Sequence, residues 1–364
     1  MRHLALRPLL AAAMVILQFG VFEAALRYQG GSEASPGFQQ LFMPDEATGY
    51  RLRPGAATRF STPEFTTDIV INGQGVRDDP IGPRPPDERR IVVLGDSIVM
   101  AVQVQAQETF TRKLQERLNG ANADGPRYRV INAGVQGFGP VEELLFFERV
   151  AAAFDPDLVL LVVFVANDAI EAVDRAWRLD PARRAQPDLQ EQAEVRLRRL
   201  VRQSMVLQIL RLRVRQALER FSPRPAPDRR ILGYATDPPA EIADAFHVAR
   251  DVIDRLVAAA RARGARAAVV LMPARFQLDP EEFGRVRSMV EPDGFTVTMD
   301  GASERFAAAL SPLGVPVLDL LPVYRSDPDP LRIFFRRTVH LTPAGHAVTA
   351  DALAEFLRSR DLLP

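Results

Sequence analysis

Arg90-Ile91-Val92-Val93-Leu94-Gly95-Asp96-Ser97 is the stretch of this 364-residue chain that decides the fold. A run of β-prone apolar residues ends abruptly at a glycine, which is the pattern of a buried strand that stops at a tight turn. The next segment, 107–118, has apolar residues at a helical spacing. Ser97 is thus predicted at a strand-to-helix turn, where open α/β folds place their ligands. It is a candidate nucleophile, although Asp-Ser before a helix is also an ordinary helix cap.

Apolar runs and helical patterns alternate on either side of this stretch. Strands are predicted near 90–94, 128–132, 157–165, 265–272 and 315–319, with helices between them. Two of the runs, 159–163 and 267–271, are apolar at every position, as parallel strands are when both faces of the sheet are covered. The pattern therefore predicts an α/β fold, a three-layer α/β/α sandwich with a parallel, flavodoxin-like sheet.

Three further segments carry polar or glycine residues at the ends of predicted elements. The strand 128–132 runs into a loop that ends in Gly137, and the apolar run 157–165 is followed by Asn167 and Asp168. His340 opens the sequence His-Leu-Thr-Pro-Ala-Gly-His, which precedes the last predicted helix. These residue types are the ones that acyl transfer requires, namely a nucleophile, a base and donors for an oxyanion.

Together with Gly95-Asp96-Ser97, these segments resemble the four sequence blocks of the SGNH (GDSL-type) hydrolase superfamily, in the family's order and at family-like distances. The resemblance covers about residues 66–364, with an atypical stretch between 175 and 240. Residues 72–77 also resemble the Asn-x-x-Gly-x-Arg element of membrane-anchored bacterial members. Arg77, the last residue of that element, is expected to be a structural arginine at the surface.

The resemblance implies a role for four residues. Ser97 would be the nucleophile and supply one backbone N–H to the oxyanion, and His340 would be the general base. Gly137 would supply a second backbone N–H, and Asn167 a side-chain amide. His346 is expected to pack or cap at the start of the last helix. The family needs no metal or organic cofactor, so none is expected here.

Two positions depart from the family pattern. Ala101 stands where a glycine is often found, four residues after the nucleophile. More seriously, Thr338 and Arg337 stand where the family usually carries an aspartate, two or three residues before the catalytic histidine. Neither side chain can act as the anion that orients an imidazole and stabilises its protonated form.

Three explanations for the missing acid are open. A backbone carbonyl can orient His340, which would leave a Ser–His dyad. Alternatively Asp319 substitutes, because it ends a predicted strand on the same edge of the sheet; Asp327 and Asp329 are weaker candidates in a proline-rich loop. In the third explanation the site binds without hydrolysing.

The N-terminus predicts a single-pass transmembrane anchor over residues 1–28. The segment 4–26 approaches the ~20 apolar residues that cross a bilayer, and Arg2 and Arg7 would keep its start in the cytoplasm. A cleaved signal peptide and a buried soluble helix are the competing interpretations. Residues 29–88 are predicted to form a linker, polar over 29–40, and a β-containing segment. The hydrolase-like domain spans 89–364.

The segment 175–240 interrupts the alternation of strands and helices. Within it, 194–220 holds eight arginines, together with apolar residues spaced for one or two basic amphipathic helices. A lid over the site, a helix on the membrane surface and a solvated helical insertion are all compatible with this pattern.

Composition narrows the function further. Basic and acidic residues balance at 46 each, which gives no global bias toward nucleic acid, and the chain has no cysteine, which excludes disulfides and thiol catalysis. The resemblance and the predicted anchor together imply an extracytoplasmic serine esterase or O-acyltransferase acting on ester-linked acyl groups. From the resemblance and the location, the expected substrate is O-acetylated envelope polysaccharide, with phospholipid second because of the basic insertion. The alternative is an SGNH-fold protein that binds glycan or an envelope partner without hydrolysis.

Overall fold

The computed structural model describes residues 36–121, 125–185 and 227–364, with Gln18, Val206, Leu207, Leu210 and Val214 as single helical residues. Apart from these single residues, the predicted anchor, 1–28, and the basic helices predicted over 194–220 lie outside the described residues. No helix in the described part of the chain is long and apolar enough to cross a membrane.

A five-stranded parallel sheet forms the centre of the fold, and its strands lie where the sequence predicts them. In spatial order they are β6 (Arg127–Asn132), β5 (Glu88–Leu94), β7 (Leu158–Phe164), β8 (Arg266–Met272) and β9 (Val317–Asp319). Numbered along the chain this order is 2-1-3-4-5, which is the flavodoxin-like arrangement. The first three of these strands are neighbours, so the loops that follow them lie side by side.

Helices cover both faces of the sheet, which confirms the three layers. Side chains alternate along β5, with Val92 and Leu94 in one apolar cluster and Ile91 and Val93 in the other. The helices are α1 (Pro36–Gln39), α2 (Ser97–Met100), α3 (Phe110–Gly120), α4 (Pro140–Arg149), α5 (Asp168–Arg175), α6 (Pro181–Ala185), α7 (Arg229–Leu232), α8 (Ala240–Arg261), α9 (Pro280–Val290), α10 (Gly301–Leu310), α11 (Leu320–Arg325) and α12 (Pro343–Ser359). Residues of α4, α8 and α10 pack on the first face, and residues of α3, α11 and α12 on the second.

Two antiparallel hairpins precede the sheet, β1 (Phe42–Asp45) with β2 (Gly49–Leu52) and β3 (Ala57–Ser61) with β4 (Thr66–Val70). Phe38 lies against the rings of Phe42 and Phe60 and is 2% exposed. The polar linker predicted over 29–40 is therefore wrong from residue 36 onward, because α1 packs into the core there.

Short 3₁₀ turns complete the described elements. They span Ala106–Glu108, Ala151–Phe154, Ala176–Leu179, Arg275–Gln277, Glu291–Asp293, Ser311–Leu313 and Pro330–Ile333. The turn after α5, together with α6 and α7, belongs to the segment 175–240 that the sequence marks as an insertion.

Candidate active site

Ser97 begins the short helix α2 directly after strand β5. The Asp96 carboxylate accepts a hydrogen bond from the Ile98 N–H at 2.8 Å and so caps this helix. Gly95 has φ +159°, and a Cβ there would lie 2.3 Å from Val99 Cγ2, so only glycine fits the turn. The helix cap that Asp-Ser suggests is therefore present, and Asp96 stabilises the turn that carries Ser97.

His340 meets Ser97 although 243 positions separate them in sequence. The Nε2 atom of His340 lies 2.9 Å from Ser97 Oγ, within hydrogen-bonding distance. The loop that carries His340 is closed by the Phe335 N–H, which donates to the His340 carbonyl at 3.0 Å. Thr338, at a position where the family usually has aspartate, accepts the His340 N–H on its hydroxyl at 3.3 Å.

The other ring nitrogen of His340 has no hydrogen-bond partner among the described residues. Nδ1 is buried and unpaired, and the residue is 8% exposed. Burial lowers the pKa of His340 to about 4, because the charged imidazolium is poorly solvated there. The imidazole is therefore neutral at pH 7, as a base must be, but nothing in the described part selects the tautomer that accepts a proton at Nε2.

Two of the three carboxylates proposed as substitutes, Asp319 and Asp327, are engaged elsewhere. Asp319 caps α11 by accepting the Leu321 N–H at 2.9 Å. Asp327 pairs with Arg332 at 2.8 Å and also accepts the backbone N–H of Asp329. Neither these groups nor a described carbonyl accepts from Nδ1, so the structure does not support the first two explanations for the missing acid.

Arg77 is buried, and the expectation of a surface arginine is wrong. It is 3% exposed, and burial lowers its pKa to about 10. Its guanidinium donates to the carbonyls of Met100, Ala101 and Val104, at and just after the end of α2. Ala101 has φ +54°, in the left-handed region that the family's glycine would occupy without strain.

His346 packs, as the sequence predicts, but it caps α3 and not the last helix. Its Nδ1 accepts the Phe110 N–H at the start of α3 at 3.1 Å, and its ring stacks on Phe110. It is 1% exposed. These contacts indicate a structural role for His346 in the packing on the second face of the sheet.

Gly137 lies in the loop after β6, which packs against the turn that carries Ser97. The Val135 N–H donates to the Gly95 carbonyl at 3.0 Å, and the Asn132 amide donates to the Val99 carbonyl at 2.7 Å. Gly137 has φ +75° and is exposed. Within the described ranges, no residue accepts a hydrogen bond from the backbone N–H of Ser97 or of Gly137.

Asn167 stands at the start of α5, and its amide is tied to the helix. Its Nδ2 donates to Glu171 Oε1 at 2.9 Å, which leaves the second N–H of the amide for another acceptor. No described hydrogen bond joins Asn167 directly to Ser97 or Gly137. The connection runs through Arg175, which pairs with Glu171 at 3.0 Å and donates to the Gly137 carbonyl at 2.8 Å.

Comparison with known families now identifies the chain. A model of the family described as GDSL-like lipase/acylhydrolase matches residues 93–348. The chain belongs to the GDSL-like lipase/acylhydrolase family. The resemblance to the SGNH superfamily is confirmed, and with it membership of a family that acts on ester bonds.

Solved structures with a similar course of the chain include esterases. A lipase/acylhydrolase from Enterococcus faecalis is 15% identical, with a TM-score of 0.40, over 75% of this chain and 96% of that one. An acetyl xylan esterase from Geobacillus stearothermophilus is 14% identical, with a TM-score of 0.39, over 74% of this chain and 93% of that one. The esterase EstA from a Pseudoalteromonas species is 12% identical, with a TM-score of 0.40, over 75% of this chain and 98% of that one. A comparison with curated proteins found no match.

The GDSL-like domain also buries a group of carboxyls beneath the loops of the site. Burial raises the pKa of Asp96 to about 6. Burial and the neighbouring carboxylates raise the pKa of Glu143 and Asp168 well above their ordinary values. Burial, reinforced by Asp96 and Glu142, raises the pKa of Glu171 to about 7, although Arg175 opposes the shift. No three or more His, Asp or Glu side chains of the described chain are arranged to hold a metal ion.

Sequence reasoning missed three residues that hold this GDSL-like site. Glu171 and Arg175 lie four positions apart, which is the spacing of an ion pair on a helix. This spacing, just after Asn167, could have predicted their contact from the sequence. Tyr50 donates its hydroxyl to the Gln136 carbonyl at 2.8 Å across 86 positions, and no local pattern announces such a contact.

Proposed function

We propose that this chain is a serine esterase or O-acyltransferase that acts on ester-linked acyl groups through Ser97 and His340. The observation that carries the proposal is the 2.9 Å approach of His340 Nε2 to Ser97 Oγ at the carboxyl edge of the sheet. Membership of an ester-acting family fits the same chemistry. Ser97 Oγ would attack the ester carbonyl while its proton passes to Nε2.

The negative charge that develops on the carbonyl oxygen must be stabilised by hydrogen-bond donors. The backbone N–H groups of Ser97 and Gly137 have no described acceptor, and the Asn167 amide has one N–H to spare. Each such donor typically contributes ~3 kcal/mol to transition-state stabilisation. The imidazolium would then protonate the leaving alkoxide, and water or another hydroxyl would take the acyl group from Ser97.

The test is labelling and turnover by the full chain. We expect a fluorophosphonate probe to label Ser97 and p-nitrophenyl acetate to be hydrolysed, and Ser97→Ala to abolish both. The matched control is Ser326→Ala, because that serine donates to the Val323 carbonyl in a different loop. Turnover that survives Ser97→Ala would contradict the proposal.

A second candidate function has two observations in its favour. The unpaired Nδ1 of His340 and the absence of an aspartate at 338 are what a site that binds without hydrolysing would have. Binding of O-acetylated polysaccharide by a wild-type chain that neither reacts with the probe nor turns over the ester would favour this function. Labelling with turnover excludes it.

The location is part of the proposal. The apolar, basic-flanked N-terminal segment favours a single-pass anchor with the domain outside the cytoplasm. Such a position would bring the site close to envelope polysaccharide, our preferred substrate, and to phospholipid. Fractionation of cells that express the full chain tests the anchor, and recovery in the soluble cytoplasmic fraction would contradict it. Acetate release from O-acetylated polysaccharide, compared with fatty-acid release from phosphatidylcholine vesicles, tests the substrate.

A further inference from the structure

The segment before the GDSL-like domain contacts three of the segments that carry the proposed site residues. The family match begins at residue 93, yet the side chains that make these contacts come from 50–77. Tyr50 contacts the loop of Gly137, Glu64 contacts the loop of His340, and Arg77 contacts the end of the nucleophile helix. Two of these contacts, those of Tyr50 and Glu64, bear on groups that the proposed reaction uses.

Tyr50 controls the peptide that carries a proposed oxyanion donor. Its hydroxyl donates to the Gln136 carbonyl at 2.8 Å. That carbonyl and the Gly137 N–H belong to the same peptide group. Because the described peptide bonds are all trans, the two point in opposite directions. A hydrogen bond on the carbonyl therefore fixes the direction in which the Gly137 N–H points.

The position of Tyr50 is itself fixed. Its ring lies 5.8 Å from that of Phe42, edge to face, and 5.7 Å from that of Phe138. A Cβ at residue 137 would lie only 2.7 Å from the tyrosine oxygen, so the loop and the hydroxyl fit each other closely. Rotation of the Gln136–Gly137 peptide would break the hydrogen bond and withdraw the donor.

Glu64 holds the loop that carries the imidazole. One carboxylate oxygen accepts the Arg336 N–H at 3.0 Å and the other accepts the Arg337 N–H at 3.1 Å. The ring of Phe65 lies 5.4 Å from that of Phe335. Because His340 Nδ1 has no described partner, the backbone of this loop must orient the ring in place of an acid.

We infer that the hairpin segment before the family domain is a working part of the catalytic site, in which Tyr50 and Glu64 are positioning residues. Tyr50 orients the Gly137 N–H toward the oxyanion, and Glu64 holds the His340 loop so that Nε2 faces Ser97. The inference rests on the proposed function. It assigns the N-terminal hairpins a role in turnover.

The first test is Tyr50→Phe, which removes only the hydroxyl. We expect kcat for p-nitrophenyl acetate to fall about 10-fold with KM within about twofold, because one oxyanion donor is no longer held. Affinity for an aryl trifluoromethyl ketone, which forms an oxyanion adduct with the serine, should fall by the same factor. Tyr234→Phe is the matched control, since the Tyr234 hydroxyl lies 3.3 Å from Gln277 Oε1, in a different part of the core.

The second test is Glu64→Gln, which keeps the volume but replaces one acceptor oxygen by an amide. We expect the rate of fluorophosphonate labelling to fall about 3- to 10-fold, as a loss of positioning predicts. Thr66→Val is the control in the same hairpin. It removes the Ser61–Thr66 hydroxyl contact of 2.7 Å and should leave labelling unchanged.

The outcomes separate the two proposals. If the wild type turns over the ester but Tyr50→Phe keeps its kcat and its affinity for the ketone, the inference is overturned and the proposed function stands. If Tyr50→Phe and Tyr234→Phe alter kcat equally, the role of Tyr50 is merely structural and the inference is also wrong. A wild type that shows neither labelling nor turnover overturns the proposed function, and the inference with it.

Discussion

The two sides of the proposed reaction centre are built in opposite ways. On the oxyanion side, Gly137 and Asn167 are joined through Arg175 and Glu171, and the Arg175 guanidinium also pairs with Glu142 at 3.0 Å. On the base side, His340 has one contact to Ser97 and an unpaired Nδ1.

The difference shows where the described fold provides electrostatic stabilisation. Charge that develops on a substrate oxygen would meet donors already fixed by partly buried ion pairs, whereas the imidazolium would form without a counter-charge. Since oxyanion stabilisation is usually the largest single contribution to acyl transfer, such a site can retain slow turnover without a full triad. The following predictions test each side separately.

The largest expected effect lies on the oxyanion side. Asn167→Ala removes the amide donor and should lower kcat for p-nitrophenyl acetate about 10²- to 10³-fold, measured by steady-state hydrolysis. Asn119→Ala is the control, because the Asn119 side chain bonds only the Tyr128 backbone in the described structure. It should lower Tm and leave kcat unchanged. A kcat for Asn167→Ala close to that of the wild type would remove Asn167 from the site.

The base side should improve when its missing charge is supplied. Thr338→Asp keeps an acceptor for the His340 N–H and adds a carboxylate near the imidazole. Because loss of a triad carboxylate lowers turnover by about 10⁴-fold in a serine protease, we expect a gain of at least about 10-fold here. The pKa of His340 read from the pH profile of kcat/KM should also rise. Thr338→Asn, of the same shape but neutral, should give no gain; an equal gain would refute the electrostatic explanation.

The two sides should titrate separately in the acid limb of kcat/KM. Glu171, with a pKa of about 7, must be ionised to pair with Arg175 and hold the Asn167 amide, so activity should fall about 3- to 10-fold as the pH drops through 7. His340, with a pKa of about 4, must be neutral, so a second fall should follow near pH 4. Glu171→Gln should abolish the upper step, and the exposed Glu148→Gln should retain it. An upper step that persists in Glu171→Gln belongs to another group.

The smallest expected effect is on thermal stability, and it concerns two neighbouring glutamates of α4 on the oxyanion side. The Glu142 carboxylate forms ion pairs, whereas the Glu143 carboxylate has no hydrogen-bond partner among the described residues. Burial raises the pKa of Glu143, so its stabilising contribution is present below pH 4.5 and is lost as the pH rises. Glu143→Gln should therefore raise Tm at pH 8 by a few degrees and change it less at pH 5; each pKa unit removed corresponds to about 1.4 kcal/mol.

Glu142→Gln provides the matched comparison on the same helix. The Glu142 carboxylate pairs with Arg175 and Arg178, so its neutralisation should lower Tm at both pH values. Thermal unfolding followed by circular dichroism measures both variants. Equal shifts for the two glutamates would mean that pairing does not distinguish them.

Local patterns predicted the sheet and one of the two residues that meet at its edge, Ser97. Unbroken apolar runs gave the five strands, and the strand-to-helix turn gave Ser97, because these signals lie within a few consecutive residues. The choice of His340 came from family resemblance. The unpaired Nδ1 of His340 and the hydrogen bond from Tyr50 to the Gln136 carbonyl could not be predicted, because they depend on packing between segments far apart in sequence. Arg77 was misplaced for the same reason, since an arginine in a loop carries no local sign of burial.

The separation of 243 positions between Ser97 and His340 has a consequence for biosynthesis. The hairpins and the serine emerge from the ribosome before the histidine does. A chain that stops or is cleaved between the two would contain the proposed nucleophile without its base. Reactivity would therefore arise only after His340 has been made.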